Sequence, residues 1–230
     1  TELGTDSWIT PLMETEMTAS GINAGWVLIY TSLIMMVLRF FAGPIVHRLL
    51  PLNLLAISAG LAAIGLFLLG SVSGFMLIFA VATLYGLGKT FFWPATLGVI
   101  SEQFPKSGAL GINMIAGIGM LSVGTLGAAW LGYVQENDTA QVLKKDHSAV
   151  YEKTVASTEA KSFLGLIDYK SVDASKATDA ESQTISDVQN GSKKSVLRTA
   201  TVLPITMCVA YILLIAYFNR RGGYKVVELG

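Results

Sequence analysis

Lys89 is the residue whose setting most demands a chemical explanation in this chain of 230. It lies near the middle of Phe75–Ile100, a stretch long and apolar enough to cross a bilayer. A charge at that depth costs at least ~2.5 kcal/mol unless it meets a polar cavity or a partner, so an intramembrane lysine reads as a functional site. Two carboxylates are candidate partners. Glu2 and Asp6 are four residues apart and share a helix face. Asp6 precedes the acidic turn at Glu14 and Glu16 by roughly ten residues, or about 15 Å of helix, which places it at a depth like that of Lys89. An Asp6 or Glu2 pair with Lys89 could be broken by protonation or by an incoming solute, coupling charge movement to a change of shape. A static ion pair is the simpler alternative.

Aromatic residues surround the same position. Tyr85 is four residues before Lys89 and Phe92 three after, so both can share its face. Trp93 adjoins them, and Trp8 faces the question from the first segment. Rings with a polar edge suit sugars and other ring-bearing solutes, while lipid-facing or core packing is the structural alternative. Pro94 removes a helix hydrogen bond and predicts a kink beside Lys89. Gly86 and Gly88 either loosen that helix or let it pack closely.

Other chemistries fail on their residues. Gly88-Lys89-Thr90 imitates the end of a phosphate-binding loop, but Thr83 stands where its first glycine belongs. Gly117-Ile-Gly119 is no dinucleotide fingerprint, because Ser122 replaces the third glycine. His47 and His147 are the only histidines and lie far apart, and Cys208 is the only cysteine. No metal site, cofactor or disulfide is expected, and no nucleophile–base pair stands at membrane depth, so an enzyme is not expected. A net charge of zero offers no global field for nucleic acid.

The elements that must carry these residues are apolar helices. Hydrophobic residues make up 52% of the chain and charged ones 14%, against roughly 25% charged in soluble domains. Mean hydropathy is +0.56. The spacing predicts a membrane domain over 1–133, with a partial helix over 1–17 and spans over 24–42, 52–70, 75–100 and 110–133. A polar insertion follows over 134–197, then a last span over 198–219 and a tail over 220–230. Stacked small residues, such as Ala56/Gly60, Ala59/Ala63, Gly124/Ala128 and Ala128/Gly132, predict close helix packing. The insertion has too few apolar residues for a core of its own and is expected to cap the membrane domain or move freely. Its Asn137-Asp-Thr139 and Asn190-Gly-Ser192 match the glycosylation acceptor pattern, which chance also produces often.

Short loops set the orientation. Arg39, His47, Arg48, Lys106, Arg220, Arg221 and Lys225 fall on one side if the complete helices alternate. That side, with the C-terminus, is expected to be cytoplasmic, and the insertion extracytoplasmic. Arg39 is expected to snorkel to headgroups or to form a gate contact with Glu102.

Three passages resemble the C-terminal half of a major facilitator superfamily transporter. Arg39-Phe-Phe-Ala-Gly-Pro-Ile-Val-His-Arg-Leu-Leu-Pro51 is similar to the signature loop between the family's eighth and ninth helices, with Gly43, His47 and Arg48 in it. Trp93 to Ala109 is similar to the exit of the tenth helix, and Gly108–Gly132 to the glycine-rich eleventh. The signature loop's usual aspartate is missing, and His47-Arg48-Leu49-Leu50 stands there instead. The long insertion is also unusual, though a bacterial subgroup ending in Arg-Gly-Gly-Tyr, as Arg221–Tyr224 does here, resembles it. The resemblance implies an all-α membrane bundle, the C-terminal six-helix half of the fold with its first helix truncated. It implies a multi-pass protein of the cell's inner (plasma) membrane that moves a small polar solute by alternating access. Sugar-like solutes and proton symport are favoured, and a separate N-terminal half completes the cavity. A non-transporting sensor on the same scaffold is the main rival, and a membrane-embedded enzyme the lesser one.

Overall fold

A computed structural model describes residues 2–42, 45, 49–163 and 165–227, apart from the side chains of residues 2–4, 7, 8, 12 and 15. Helix dominates. Among the described residues the helices are, in chain order, α1 (Glu2–Thr18), α2 (Gly25–Phe40), α3 (Pro51–Leu69), α4 (Phe75–Lys89), α5 (Phe92–Gln103) and α6 (Gly108–Ser122). After a π-helical turn over Val123–Gly127 come α7 (Ala128–Asp146), the single turn α8 (Ser148–Tyr151), α9 (Asp179–Ala200) and α10 (Val202–Arg220). The strands β1 (Ala160–Phe163) and β2 (Ile167–Lys170) form one antiparallel hairpin.

Among the described residues, four helical stretches are long and apolar enough to cross a membrane: Pro51–Leu69, Phe75–Gln103, Pro105–Asp146 and Asp179–Arg220. The chain is accordingly read as a helical membrane protein. Gly25–Phe40 is apolar but only 16 residues long. That is about 24 Å of helix against a hydrocarbon core of about 30 Å.

Several expected boundaries move. The span predicted over 75–100 is two helices that break at Thr90 and Phe91. The cause is Pro94, which has no N–H for the Thr90 carbonyl and whose ring crowds it. Pro204 does the same to Ala200, and the last helical stretch breaks at Thr201 between α9 and α10. The span predicted over 110–133 runs on as helix to Asp146, so the polar insertion starts within α7.

The core is built on α3. Leu55, Ala59, Ala62, Leu66 and Leu69 are fully buried, and α4 lies against them. The closest approach is at two glycines. A Cβ on Gly88 would sit 2.4 Å from the Ala62 nitrogen, and one on Gly65 would sit 2.7 Å from the Tyr85 Cα. The small-residue pairs singled out from spacing fare unevenly. Ala59 and Ala63 are buried, and the Cys208 thiol of α10 meets the Ala56 carbonyl at 3.6 Å. Gly60, Gly124 and Gly132 face open space. Helix α2 joins α4 through Tyr30, whose ring meets Phe79 edge-on at 5.1 Å and whose hydroxyl lies 2.8 Å from that of Thr83.

Two ends of the bundle are distinct. At one end the tail folds back on α5. The Tyr224 hydroxyl donates to Glu102 at 2.6 Å, Gln103 Nε2 donates to the Lys225 carbonyl at 2.9 Å, and the Val227 N–H donates to the Glu102 carbonyl at 2.9 Å. Gly222 and Gly223, at φ of 94° and 93°, make the turn that permits this. At the other end α9 grips α1 and the turn after α3. Lys194 lies 2.7 Å from both Glu16 and the Ser73 hydroxyl, and Arg198 Nε donates to the Gly70 carbonyl at 2.8 Å. Lys193 lies 3.9 Å from Glu14.

The insertion is more ordered than its composition predicts. Leu143, Val155 and Ile185 form a small buried cluster apart from the main core. The Val172 N–H donates to Glu136 at 2.9 Å, tying the strand region to α7. Thr139 and Ser192 are buried within helices, so neither acceptor triplet stands on an exposed loop.

Candidate functional site

The site forms where α1, α2 and α4 meet. Lys89 ends α4, so its ammonium stands at the negative end of that helix dipole, a favourable place for a cation. The side chain is fully buried. Its Nζ donates to Asp6 Oδ1 of α1 at 2.6 Å and to Thr31 Oγ1 of α2 at 3.2 Å. Thr31 in turn donates to the Leu28 carbonyl at 3.1 Å, which fixes its hydroxyl with a lone pair toward the ammonium. The Tyr85 ring, one turn before Lys89, has its centroid 5.3 Å from Nζ, within cation–π range. The Tyr85 hydroxyl is hydrogen-bonded to that of Thr5. Three helices thus converge on one positive charge.

The two partners differ in access. Lys89 is 0% exposed while the Asp6 side chain is 15% exposed. The carboxylate is therefore the more accessible group of the two.

Around this pair, Thr90 turns its hydroxyl back to the Gly86 carbonyl at 2.6 Å. Its own carbonyl, orphaned by Pro94, accepts from Arg39 Nε at 3.1 Å. Arg39 is tied to the helix break, and Glu102 to Tyr224; neither of these bonds is the Arg39–Glu102 gate contact weighed from sequence. Phe92 is buried beside the break. Trp93 turns toward α6, where its ring edge would lie 3.1 Å from a Cβ on Gly119. Pro94 itself is exposed. The side chains of Glu2 and Trp8, and Gly43, His47 and Arg48 altogether, lie outside the described residues.

Thr5 and Thr31 carry the network, and sequence reasoning passed over both. Thr31 had one signal, a hydroxyl within the apolar run Gly25–Phe40; Thr5 had only its place beside Asp6. Among the described residues no group of three or more His, Cys, Asp or Glu could hold a metal ion. Comparison of the chain with protein-family models, curated proteins and solved structures finds no match.

Proposed function

We propose that this chain is the C-terminal half of a secondary active transporter of the major facilitator type. It moves a small polar solute, sugar-like by preference, across the cell's inner membrane by alternating access. The observation that carries this reading is the buried Asp6–Lys89 pair joining α1 to the end of α4. A buried ion pair adds little to stability over apolar packing of the same volume, so its presence at this depth calls for another purpose. Protonation of Asp6 removes the charge that holds Lys89, freeing α1 from α4, and coupling to protons follows from that step. The helix break at Thr90 beside the pair matches the use of discontinuous helices around transport sites. The end bearing Lys106, Arg220, Arg221 and Lys225 is cytoplasmic on this reading, and the insertion lies outside.

The test is solute uptake by the intact protein, both halves present. Lys89→Ala should abolish uptake while the protein still inserts and folds. Normal uptake by that variant sinks the proposal. A rival reading, a sensor on a transporter scaffold, draws on the continuation of α9 into the last span at Thr201, which joins the insertion to the membrane domain. Deleting 134–197 separates them: loss of a signalling output with uptake intact favours the sensor.

A further inference from the structure

The hairpin of β1 and β2 presents two exposed apolar side chains, one almost bare and one nearly half bare. Leu166 is 82% exposed and Ile167 45% exposed. Gly165, at φ of 70°, makes the turn that presents them. The register pairs Phe163 with Ile167 and Lys161 with Tyr169. Side chains alternate along a strand, so these four share one face of the hairpin, while Ser162 and Asp168 take the other. The apolar face meets Tyr133 of α7, which stacks on Phe163 at 5.6 Å and meets Tyr169 edge-on at 5.2 Å.

What covers this surface follows from where it lies. Phe163 lines a groove of about 520 Å³ together with Leu126, Trp130, Val202 and Leu203. Leu126 and Val202 belong to the apolar runs of the membrane-spanning stretches and are themselves 46% and 54% exposed. The hairpin therefore continues the surface that faces lipid, at the level where α7 turns polar and α10 begins. Tyrosine and tryptophan gather at that level of a membrane protein. A two-stranded hairpin has unpaired backbone edges and cannot enter the hydrocarbon, but it can lie at the headgroup boundary. Lys161, exposed on the apolar face, can extend its ammonium to lipid phosphates while its stem stays with Phe163.

We propose that this hairpin is an interfacial anchor, with Leu166 and Ile167 inserted at the boundary between headgroups and acyl chains of the outer leaflet. It fixes the insertion to the membrane surface, which the Lys193 and Lys194 contacts do not. The proposal rests on the membrane-spanning reading but not on transport.

The test uses spin labels on single cysteines at Leu166, Ile212 and Asp187 in a Cys208→Ser background. The protein is reconstituted in phosphatidylcholine–phosphatidylglycerol vesicles, and collision with oxygen and with a water-soluble nickel chelate is measured. The expected result is a several-fold excess of oxygen over nickel at 166 and 212, and the reverse at 187. Nickel access at 166 with lipid access at 212 overturns the anchor and leaves the spans intact. Water access at both overturns the membrane-spanning reading beneath it. A label at 166 immobilised and shielded from both reagents means protein contact and also overturns the anchor.

Discussion

At Lys89 the asymmetry of burial makes the two halves of the pair unequal. Asp6→Asn leaves a fully buried ammonium without its counter-charge, and about 3–5 kcal/mol of stability should go. Lys89→Met leaves a carboxylate with partial access to solvent and should cost less. The double variant should recover most of the loss, because both charges leave together. Thermal unfolding of the four proteins in one detergent measures this, and an Asp6→Asn variant as stable as the parent would show that the pair does not hold α1 to α4. Arg39 offers a second test. Arg39→Ala orphans the Thr90 carbonyl, at about 1–3 kcal/mol. If Arg39 merely snorkelled, lysine would serve as well; the bond from Nε predicts that Arg39→Lys fails to restore stability. The charges were legible in sequence because ionisable groups in an apolar run are anomalous. The threonines were not, because a hydroxyl bonded to its own helix raises no alarm in a span.

Helix boundaries were legible where proline or glycine marks them and obscure where a helix simply continues. Pro94 announced a kink but not its consequence, that Lys89 would terminate a helix instead of lying within one. The polar composition after Tyr133 suggested an end to the span, yet α7 continues, since Gln, Glu, Lys and Ala favour helix as readily as loop. The contact between α3 and α4 turns on Gly88, for which sequence left loosening and close packing both open, and on Gly65, which sequence did not single out. Gly88→Ala forces a methyl within 2.4 Å of the Ala62 nitrogen and should separate the two helices, with a loss of about 1–3 kcal/mol or more. Gly60→Ala, where nothing lies within 4 Å, is the control and should be neutral or stabilising. Helix α9 is held at its start by Glu181, whose carboxylate accepts from Lys153 at 2.6 Å and from the Thr178 N–H at 2.7 Å. The Lys153 contact first, then the Thr178 bonds, lower its pKa from 4.5 to about 2. Its stabilising share is complete above pH 4.5, shrinks below it, and is gone once pH falls through about 2. Hydrogen exchange at the start of α9 should quicken over that window, and Glu181→Gln should remove the dependence.

On the scale of the whole molecule, the tail lies against the end of α5, while α9 lies against α1 and the turn after α3. The tail meets α5 through Tyr224, whose hydroxyl, raised to about 12 by burial and then by Glu102, stays protonated and able to donate across the physiological range. Tyr224→Phe removes that donor and should expose the tail to protease with little change in global unfolding. What sequence could not supply was the attachment of the insertion. Its charged side chains looked alike in composition, and only geometry distinguishes Lys193 and Lys194, which reach α1, from lysines that face solvent.

The near-continuity of α9 and α10 makes the insertion a lever. Helix α9 has 22 residues, or about 33 Å of rigid rod beyond the Thr201 break. A tilt of about 10° in the last span would carry the far end of such a rod roughly 6 Å sideways. The Glu16–Lys194 and Arg198–Gly70 contacts lie near the fulcrum, where the same tilt is smallest, so they can persist through a rocking motion that displaces Asp179 widely. A fluorophore at that end would amplify a rearrangement too small to resolve at Lys89 itself.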